Sequence, residues 1–291
     1  MANTIALAKK YTALLDEVYR IAALTADLES DATLTREGAN ANEIIIPKMT
    51  LQGLANYSRS GGYVAGDMTL EWETVTFNFD RGRKFSVDAM DNEETVNIAF
   101  GRLAGEFLRT KVVPELDAFR FATYSSVSGI TSPTGATLSD GAAVLAALRV
   151  AASAMDEAEV PPEGRILYIT PTLLGLVEDL DTTKSREVLN GFSKKVKVPQ
   201  TRFYTAITQY DGTTDGQEAG GYIKSASTGK DINFLVIHPS AVLQFTKQAV
   251  PKIFSPDQNQ NADAWIYNYR SYGLADAFDN KVKGIYLHKK A

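Results

Sequence analysis

The sequence has 291 residues, of which 44% are hydrophobic and 22% charged, and 30 Lys and Arg residues against 35 Asp and Glu residues give a formal net charge of −5. This is the ordinary composition of a globular protein of one or two domains, which excludes a disordered or collagen-like chain. The negative balance argues against a nucleic-acid binder that depends on a strongly basic surface. Cysteine is absent, so disulfides, thiolate metal sites and cysteine nucleophiles are excluded.

The most apolar stretch, residues 141–155, is about fifteen residues long and falls short of the roughly twenty that a membrane span requires. The N-terminus fits neither a signal peptide nor a transit peptide, because its lysines, Lys9 and Lys10, are followed by Asp16 and Glu17. We therefore expect no membrane span and a mature start, which suits an intracellular origin.

The N-terminal residues repeat an apolar side chain at every third or fourth position, which is the spacing of one helix face. The stripe consists of Leu7, Tyr11, Leu14, Val18, Ile21, Thr25 and Leu28, and only Thr25 breaks its apolar character. We predict an amphipathic helix that packs on its own subunit or on a neighbour; a coiled coil with another chain is the alternative. The polar residues 30–42 then predict an extended arm.

Residues 43–88 change to the two-residue alternation of β-strands and predict a long hairpin. Its middle carries glycines beside tyrosines, at Tyr57, Gly61, Gly62, Tyr63 and Gly66. A tip of this composition is expected to be flexible and displayed away from any core. Because an isolated two-stranded hairpin is marginally stable in water, the ribbon needs another surface to lie on, and the sequence implies a partner.

Residues 91–124 return to helical spacing and predict a helix nearly 50 Å long, at 1.5 Å per residue. Asp91 and Glu94 resemble a capping box at its start. Pro114 is expected to bend the helix, because proline removes one backbone hydrogen bond. Such a long rod can serve as the spine of a domain.

The second half of the sequence alternates helices and strands. Ser139 is the predicted cap of an Ala-rich helix that reaches residue 158, and Thr170 with Pro171 predicts the start of a helix through residue 179. Buried strands are predicted at 165–169 and 232–237, an aromatic tail alternates from residue 249 onwards, and residues 283–287 form a final strand. Residues 191–200 read as a loop or an edge strand, and residues 211–221 as a glycine-rich excursion.

None of the candidate chemical motifs outweighs a structural interpretation. His238 and His288 end predicted strands without further ligands or a nucleophile. The calcium-like spacing that begins at Asp211 has Tyr222 where a bidentate Glu belongs. Four carboxylates, at Asp88, Asp91, Glu93 and Glu94, suit a helix N-terminus for dipole reasons alone. The remaining cluster, Lys194, Lys195, Lys197 and Arg202, fits either a blunted strand edge or a phosphate site, with the edge favoured. We predict no enzyme activity, cofactor or metal.

The order of these elements resembles the major capsid proteins of tailed double-stranded DNA bacteriophages, which have the Hong Kong 97-like fold. The resemblance rests on four stretches: DNEETVNIAFGRLAGEFLRTKVVPELDAFRFA (91–122), GRILYITPTLL (164–174), INFLVIHPSAV (232–242) and DNKVKGIYLH (279–288). None is a short diagnostic signature, so the match depends on their order and character together.

The resemblance implies an α+β capsid fold with four parts. These are an N-terminal helix and arm (1–42), an extended hairpin loop that lies across a neighbouring subunit (43–90), a peripheral domain with the spine helix (91–131 and 243–272), and an axial α/β domain (132–242 and 273–291). The assembly interface would include Leu7, Leu14, Val18, Ile21, Tyr57, Arg59, Tyr63, Trp72, Phe77, Phe79, Lys194, Lys195 and Lys197.

The implied function is self-assembly into an icosahedral shell around a phage genome. The implied partners are further copies in pentamers and hexamers, a scaffolding protein or segment, a portal, decoration proteins, and packaged double-stranded DNA held without sequence-specific contacts. The virion capsid is then the location, after synthesis in the bacterial host cytoplasm. Some relatives join this loop to a neighbour through a Lys–Asn isopeptide bond; residues 52–67 contain no lysine, so we expect no such bond at the tip.

Two alternatives remain open from the sequence. An encapsulin-like shell that encloses cargo enzymes would share the fold. A soluble α/β hydrolase or small-ligand-binding protein would instead be built around residues 164–179, where a helix N-terminus could receive an anion.

Overall fold

The structure, a computed structural model, describes residues 23–30, 36–37, 42–94 and 98–291 and shows a mixed α+β fold. The strands are β1 (Arg36–Glu37), β2 (Glu43–Leu51), β3 (Met68–Thr76), β4 (Phe79–Asp88), β5 (Ile166–Ile169), β6 (Lys194–Lys197), β7 (Ile207–Gln209), β8 (Tyr222–Lys224), β9 (Ile232–Ile237), β10 (Val242–Phe254), β11 (Ala264–Ala277) and β12 (Ile285–Lys289). The α-helices are α1 (Ala89–Glu94), α2 (Ile98–Phe107), α3 (Val113–Ser126), α4 (Gly141–Glu157), α5 (Pro171–Glu178) and α6 (Thr183–Asn190).

A four-stranded sheet of order β12-β9-β5-β6 forms the centre of the second half of the chain. Alternate residues of β5 serve opposite faces: Ile166 and Tyr168 pack in a cluster with α3, whereas Leu167 and Ile169 pack in a cluster with α4, α5 and α6. All residues of β5 and β9 are buried, because helices cover both faces, and such strands read as continuous apolar runs. The strands predicted at 165–169 and 232–237 are confirmed.

The helix caps differ in detail from the sequence prediction. Helix α4 is capped by Asp140, whose Oδ1 accepts a hydrogen bond from the N–H of Ala143 (2.8 Å), so the prediction of Ser139 as the cap was wrong by one residue. Thr170 lies at the cap position of α5 as predicted, but its side chain makes no cap bond. Helix α6 was not predicted; it begins with a capping box of Thr182 and Ser185.

The last strand starts two residues later than predicted. Residues Asp279–Gly284 form a 3₁₀ turn, and β12 begins at Ile285. The loop before β5 is closed by Arg165, a buried guanidinium that donates to the carbonyls of Pro161 (2.9 Å) and Val160 and pairs with Asp156 (2.8 Å).

A second sheet, of order β10-β11-β4, lies beside the spine helix. The prediction that the hairpin continues through residue 88 was wrong, because β4 leaves the hairpin and pairs with β11 from Phe79↔Gly273 to Asp88↔Ala264. The change of sheet occurs at Asn78, whose side-chain amide donates to the carbonyl of Ala275 (2.7 Å) and accepts from its N–H (3.1 Å). The two-residue alternation runs unbroken through this change, so the sequence pattern does not reveal it.

The predicted spine helix is helical without a break from residue 98 to residue 126, and its last part packs against the central sheet. Helix α1 begins at Ala89, after Asp88 accepts a hydrogen bond from the N–H of Met90 (2.9 Å). Asp91 therefore lies inside the helix, and the predicted capping box there was wrong. Residues Leu108–Val112, just before Pro114, are π-helical. Because proline has no N–H to donate, a helix commonly changes its hydrogen-bond pattern at this position.

Two glycines provide a matched test of the packing between α4 and α5. A Cβ on Gly141 would lie 2.1 Å from the carbonyl oxygen of Leu176, whereas a Cβ on Gly175 would have no neighbour within 4 Å. We expect Gly141→Ala to lower the free energy of unfolding by about 2 kcal/mol through overpacking, and Gly175→Ala to raise it by up to about 1 kcal/mol through helix propensity. Urea unfolding followed by circular dichroism measures both; equal stabilities would contradict the packing described.

Candidate assembly surfaces

On one face of the β2–β3 hairpin, apolar side chains oppose each other across the strands. Pro47 pairs with Trp72, Met49 with Leu70, and Leu51 with Met68. Directly opposed residues share a face, so these six side chains form one continuous apolar strip, which we call the outer face. All six are exposed, and the five large ones retain between 47% and 64% of their accessible surface. The opposite face is polar there, with Lys48 against Glu71 and Thr50 against Thr69.

The base of the hairpin fixes the direction of the outer face. Ile46 is 5% exposed and packs with Leu243, Phe245 and Leu274 of the body. Further along β2, on the face that carries Ile46 and not on the outer face, the Lys48 ammonium lies 2.7 Å from the carboxylate of Asp279. The even-numbered side chains of β2 therefore point to the body, and because side chains alternate along a strand, the outer face points away from it.

The tip of the hairpin is displayed as predicted. Ser58 and Gly62 form an isolated antiparallel bridge, and Gly62 has a φ of 77°, a conformation that glycine adopts without strain. The rings of Tyr57 and Tyr63 lie 4.9 Å apart and both are exposed. Arg59, between them in the turn, is exposed as well. The tip thus presents two aromatic rings and one cation to solvent.

Three aromatic residues predicted at the interface have different environments. Trp72 belongs to the outer face and is 47% exposed. Phe77 is half-buried: its ring stacks on Tyr272 at 4.8 Å, and the ammonium of Lys247 lies 5.2 Å above it. Phe79 is 3% exposed and packs against Phe119 at 4.9 Å. The assignment of Phe79 to an assembly surface was wrong, because Phe79 is buried and its strand, β4, pairs with β11 in the second sheet.

The lysine cluster lies on the edge strand β6, at the end of the four-stranded sheet. Lys194 pairs with Asp27, and Lys197 lies 3.7 Å from Glu178, so two of the three lysines have acidic partners within the chain. Lys195 is exposed. Arg202 does not join the cluster; it pairs with Asp117. The arrangement is that of an edge strand protected by charge, and it brings no phosphate site together.

The N-terminal stripe is described only at its end. Leu7, Leu14, Val18 and Ile21 lie outside the described residues, as does most of the predicted arm. Residues Ala26–Leu28 form a 3₁₀ turn, and Leu28 packs in the cluster that contains Phe121 and Tyr124.

Thr25, the polar exception in the stripe, is fully buried and bonds to a polar hub centred on Asp117 of α3. The Asp117 carboxylate accepts hydrogen bonds from the N–H of Leu24 (3.1 Å), from the N–H of Thr25 (3.3 Å) and from its hydroxyl (2.9 Å), and it pairs with Arg202 at 3.2 Å. Arg120 donates to the Thr25 hydroxyl (2.9 Å). Burial raises the pKa of Asp117, while these donors and the two arginines oppose the rise.

The hub extends to β10 through Gln244, which is also fully buried. Its side-chain amide donates to the carbonyl of Thr25 (2.9 Å) and accepts from the Tyr124 hydroxyl (2.8 Å). Residues 24–25, the spine helix, the turn that carries Arg202 and the β10 strand are therefore joined by one satisfied polar network. Sequence reasoning missed Asp117, because a single aspartate inside a helix shows no sign of burial.

The remaining motifs have structural roles. His238 contacts the Ser240 hydroxyl (2.8 Å) and the carbonyl of Glu163 (3.0 Å), and His288 contacts Asn233 (3.0 Å), with burial lowering its pKa. Hydrogen bonds from the Thr214 hydroxyl and from backbone N–H groups lower the pKa of Asp211. Within residues 23–30, 36–37, 42–94 and 98–291, no group of three potential ligands could hold a metal, and no helix is long and apolar enough to cross a membrane.

Comparison with known proteins identifies the fold. No family model and no curated protein matches the sequence. Among solved structures, a virus-like particle protein from Pyrococcus furiosus aligns with a TM-score of 0.60 and 12% identity over 96% of this chain and 98% of that one. A chain of Gordonia phage Cozz aligns at 0.58 and 12%, over 92% and 86%, and a capsid chain of cyanophage P-SCSP1u at 0.56 and 12%, over 88% and 85%.

These alignments cover nearly the whole of both chains, and the proteins compared include phage capsids. The chain therefore has the Hong Kong 97-like capsid fold, as the sequence resemblance implied. Because the sequence identities are near 12%, these alignments establish the fold of the chain and not its function.

The hub supplies a stability test. Asp117→Asn keeps the side-chain volume but removes the charge that two arginines face, so we expect it to lower the free energy of unfolding by about 3 kcal/mol, as for other broken buried pairs. Asp80→Asn is the control, since Asp80 pairs with Arg270 on the surface (2.6 Å) and its loss should cost less than about 1 kcal/mol. Guanidinium unfolding of both variants checks this; equal losses would contradict the role of the hub.

Proposed function

We propose that this protein is a major capsid protein that self-assembles into the icosahedral head of a tailed double-stranded DNA bacteriophage. The observation that carries the proposal is the outer face of the hairpin, a strip of six exposed apolar side chains that points away from its own subunit. In the capsid fold, copies of one chain surround each other, so a neighbouring copy is the natural cover for this strip.

The energy of covering the outer face is large enough to drive assembly. Burying a side chain of the size of Leu, Met or Trp is worth about 1.5–3 kcal/mol when it starts fully exposed, and these start about half exposed. Each therefore returns about 1 kcal/mol, and every subunit in a closed shell both donates a hairpin and receives one. Contact energies of this size favour many weak contacts between subunits, repeated by symmetry, over a single tight dimer.

The four-part division of the chain extends this proposal. Residues 1–42 would form the arm and 43–78 the hairpin loop, which ends before β4 joins the sheet with β11. Residues 79–131 and 243–272 would form the peripheral domain, and 132–242 and 273–291 the axial domain. Pentamers and hexamers would form around the axial domain. Tyr57, Arg59, Tyr63, Trp72 and Phe77 remain proposed interface residues on the hairpin side, with Lys194, Lys195 and Lys197 on the axial side and the residues of the N-terminal stripe on the arm.

The finer partners belong to the same proposal. A scaffolding protein or segment, a portal and decoration proteins would join the shell, which would form in the host cytoplasm and end as the virion capsid. The packaged DNA would be held without sequence-specific contacts, and the formal charge of −5 supports this, because a strongly basic lining would grip phosphates and resist ejection. Such a role requires no catalysis, which agrees with the prediction of no enzyme activity.

An encapsulin-like compartment is the second candidate. The alignment with the virus-like particle protein of Pyrococcus furiosus, which covers 96% and 98% of the two chains, concerns the shared fold and does not separate the two candidates. Nucleic acid in purified particles would support the phage head, whereas a co-purifying enzyme cargo would support the compartment. The soluble hydrolase or small-ligand alternative predicts a monomer with a saturable small-molecule ligand.

A pair of substitutions tests the outer face. Leu70→Glu places a charge on the apolar strip, whereas Thr69→Glu places the same charge on the adjacent, polar face; both sites are exposed in the subunit. We expect both variants to fold with wild-type circular dichroism, and only Leu70→Glu to lose closed particles in electron micrographs, at least tenfold, because a desolvated charge is costly. Equal particle yields from the two variants would contradict the proposal.

A further inference from the structure

Strand β4 leaves one edge of the second sheet open. In the order β10-β11-β4, only one side of β4 has a neighbouring strand. Its ten residues, Phe79–Asp88, pair with β11 in one continuous register without a bulge. The open side is accessible to solvent, because Gly82, Lys84 and Ser86 are all exposed. A straight, open edge of this kind is a template on which another strand can pair.

The hydrogen bonds of Asn78 show which backbone groups of β4 point to the open side. Asn78 donates to the carbonyl of Ala275 and accepts from its N–H, so the backbone of Ala275 faces β4. Because this direction alternates along an antiparallel strand, the odd-numbered residues of β11 and of β4 bond to each other. The N–H and C=O groups of the even-numbered residues from 80 to 86 therefore point outwards, where no described residue bonds to them.

The edges of the central sheet are protected, each in a different way. Strand β6 is a four-residue edge with three lysines, a charge of one sign that repels a copy of itself. Strand β12 is covered by residues 131–136, which bond to the backbone of Ile285, Leu287 and Lys289.

The other edge of the second sheet, β10, is protected as well. The N–H of Ser30 donates to the carbonyl of Gln244 (2.9 Å), and the N–H of Gln244 donates to the Ser30 hydroxyl (3.0 Å). Beyond a bulge, Pro251 stands opposite Tyr269, whose backbone faces β4. The missing N–H of this proline therefore lies on the open side of β10 and blocks a further strand there. Strand β4 has no bulge, no proline and no covering segment among the described residues.

The side chains of β4 are complementary to a second β4 strand in the antiparallel direction. When two copies are centred on Ser86, Lys84 of each lies opposite Asp88 of the other, and opposite charges across strands stabilise the pair. Both residues are exposed, and neither forms an ion pair among the described residues. On the other face, Phe85 lies opposite Val87, and both are half-buried in the subunit.

Other registers of the same two strands oppose like charges. A pair centred on Gly82 would place Arg81 opposite Arg83, and a pair centred on Lys84 would place that lysine opposite itself. Directly opposed like charges are destabilising. Centring on Ser86 sets opposite charges against each other within β4 and opposes no like charges.

We propose that β4 pairs antiparallel with β4 of a second copy, centred on Ser86, so that two second sheets continue as one sheet across a two-fold axis. Ser86 then exchanges two backbone hydrogen bonds with its counterpart, and the N–H of Asp88 donates to the carbonyl of Lys84. A two-fold contact uses the same surface on both copies. The pairing is separate from the hairpin outer face.

The place of this contact in a shell rests on the proposed function. Strand β4 belongs to the proposed peripheral domain, so the contact would join subunits of neighbouring pentamers or hexamers. The hairpin tip of a neighbour is the competing occupant of the edge. Charge favours a second β4, because residues 52–66 of the tip carry a single charged side chain, Arg59.

The first test uses the absence of cysteine from the chain. In the proposed register, residue 86 lies opposite itself at about 5.5 Å between Cα atoms, which a disulfide can span. Under mild oxidation we expect Ser86→Cys to give disulfide-linked dimers on a denaturing gel. Lys84→Cys is the matched control. Its two copies lie about 13 Å apart along the strands, so we expect at least tenfold less dimer.

Both variants are oxidised as dispersed subunits and as assembled material, and closed particles are scored separately by electron microscopy. Equal dimer yields from the two variants, or no Ser86→Cys dimer in either state, would overturn the proposal. A bond from Ser86→Cys to Leu54→Cys in a mixture, in place of the Ser86→Cys dimer, would assign the edge to the hairpin tip. Dimers without closed particles would count against the proposed function alone, and closed particles without dimers against the strand pairing alone.

Proline substitution separates the open edge from the fold of the subunit. Lys84→Pro removes an outward N–H from β4, and Ala249→Pro removes one from the side of β10 that already carries Pro251. Neither N–H bonds within the sheet, so we expect both variants to keep wild-type circular dichroism. In the Ser86→Cys chain, we expect Lys84→Pro to lower the dimer yield at least tenfold and Ala249→Pro to leave it unchanged. Equal yields from the two folded variants would contradict the pairing.

Discussion

The pairing register of β2 and β3 determines which side chains of the hairpin lie on its exposed outer face. Each strand contributes three apolar side chains, and the register places them opposite one another, so that they share one face. A shift of one residue would send half of them to the polar face and abolish the strip. Ile46 and the Lys48–Asp279 pair hold the base of the hairpin against the rest of the subunit. Because the base is fixed in this orientation, the outer face cannot turn to contact its own subunit.

The body that carries the hairpin is held together by polar as well as apolar contacts. One cluster joins α3 to one face of the central sheet, and the Asp117 hub joins the same helix to residues 24–25, to Arg202 and, through Gln244, to β10. A satisfied buried network of this kind specifies one arrangement of its elements. Residues 24–25, the turn that carries Arg202 and strand β10 are therefore fixed relative to the spine helix, which the proposed assembly into a symmetric shell requires.

The sequence predicted the elements whose pattern is local. Strands β5 and β9, helix α4 and the display of the hairpin tip followed from periodicity and turn residues, whereas the capsid fold was implied by the resemblance to a known family. The end of the hairpin was misplaced because Phe77 and Phe79 continue one alternation across two sheets, and the decisive contact, Asn78 with Ala275, joins residues far apart in sequence. Asp117 was missed for a related reason: its burial results from the meeting of three distant segments. The position of Thr25 in the apolar stripe was the available signal.

The central claim, that the outer face is covered by another copy, can be tested by the fluorescence of one residue. The chain has two tryptophans, so Trp265→Phe leaves Trp72, on the outer face, as the only one. Emission of this variant is compared between dispersed subunits and closed particles at equal protein concentration. The account predicts a shift to shorter wavelength and protection from an aqueous quencher on assembly. Closed particles in which Trp72 keeps the emission and quenching of the free subunit would contradict it.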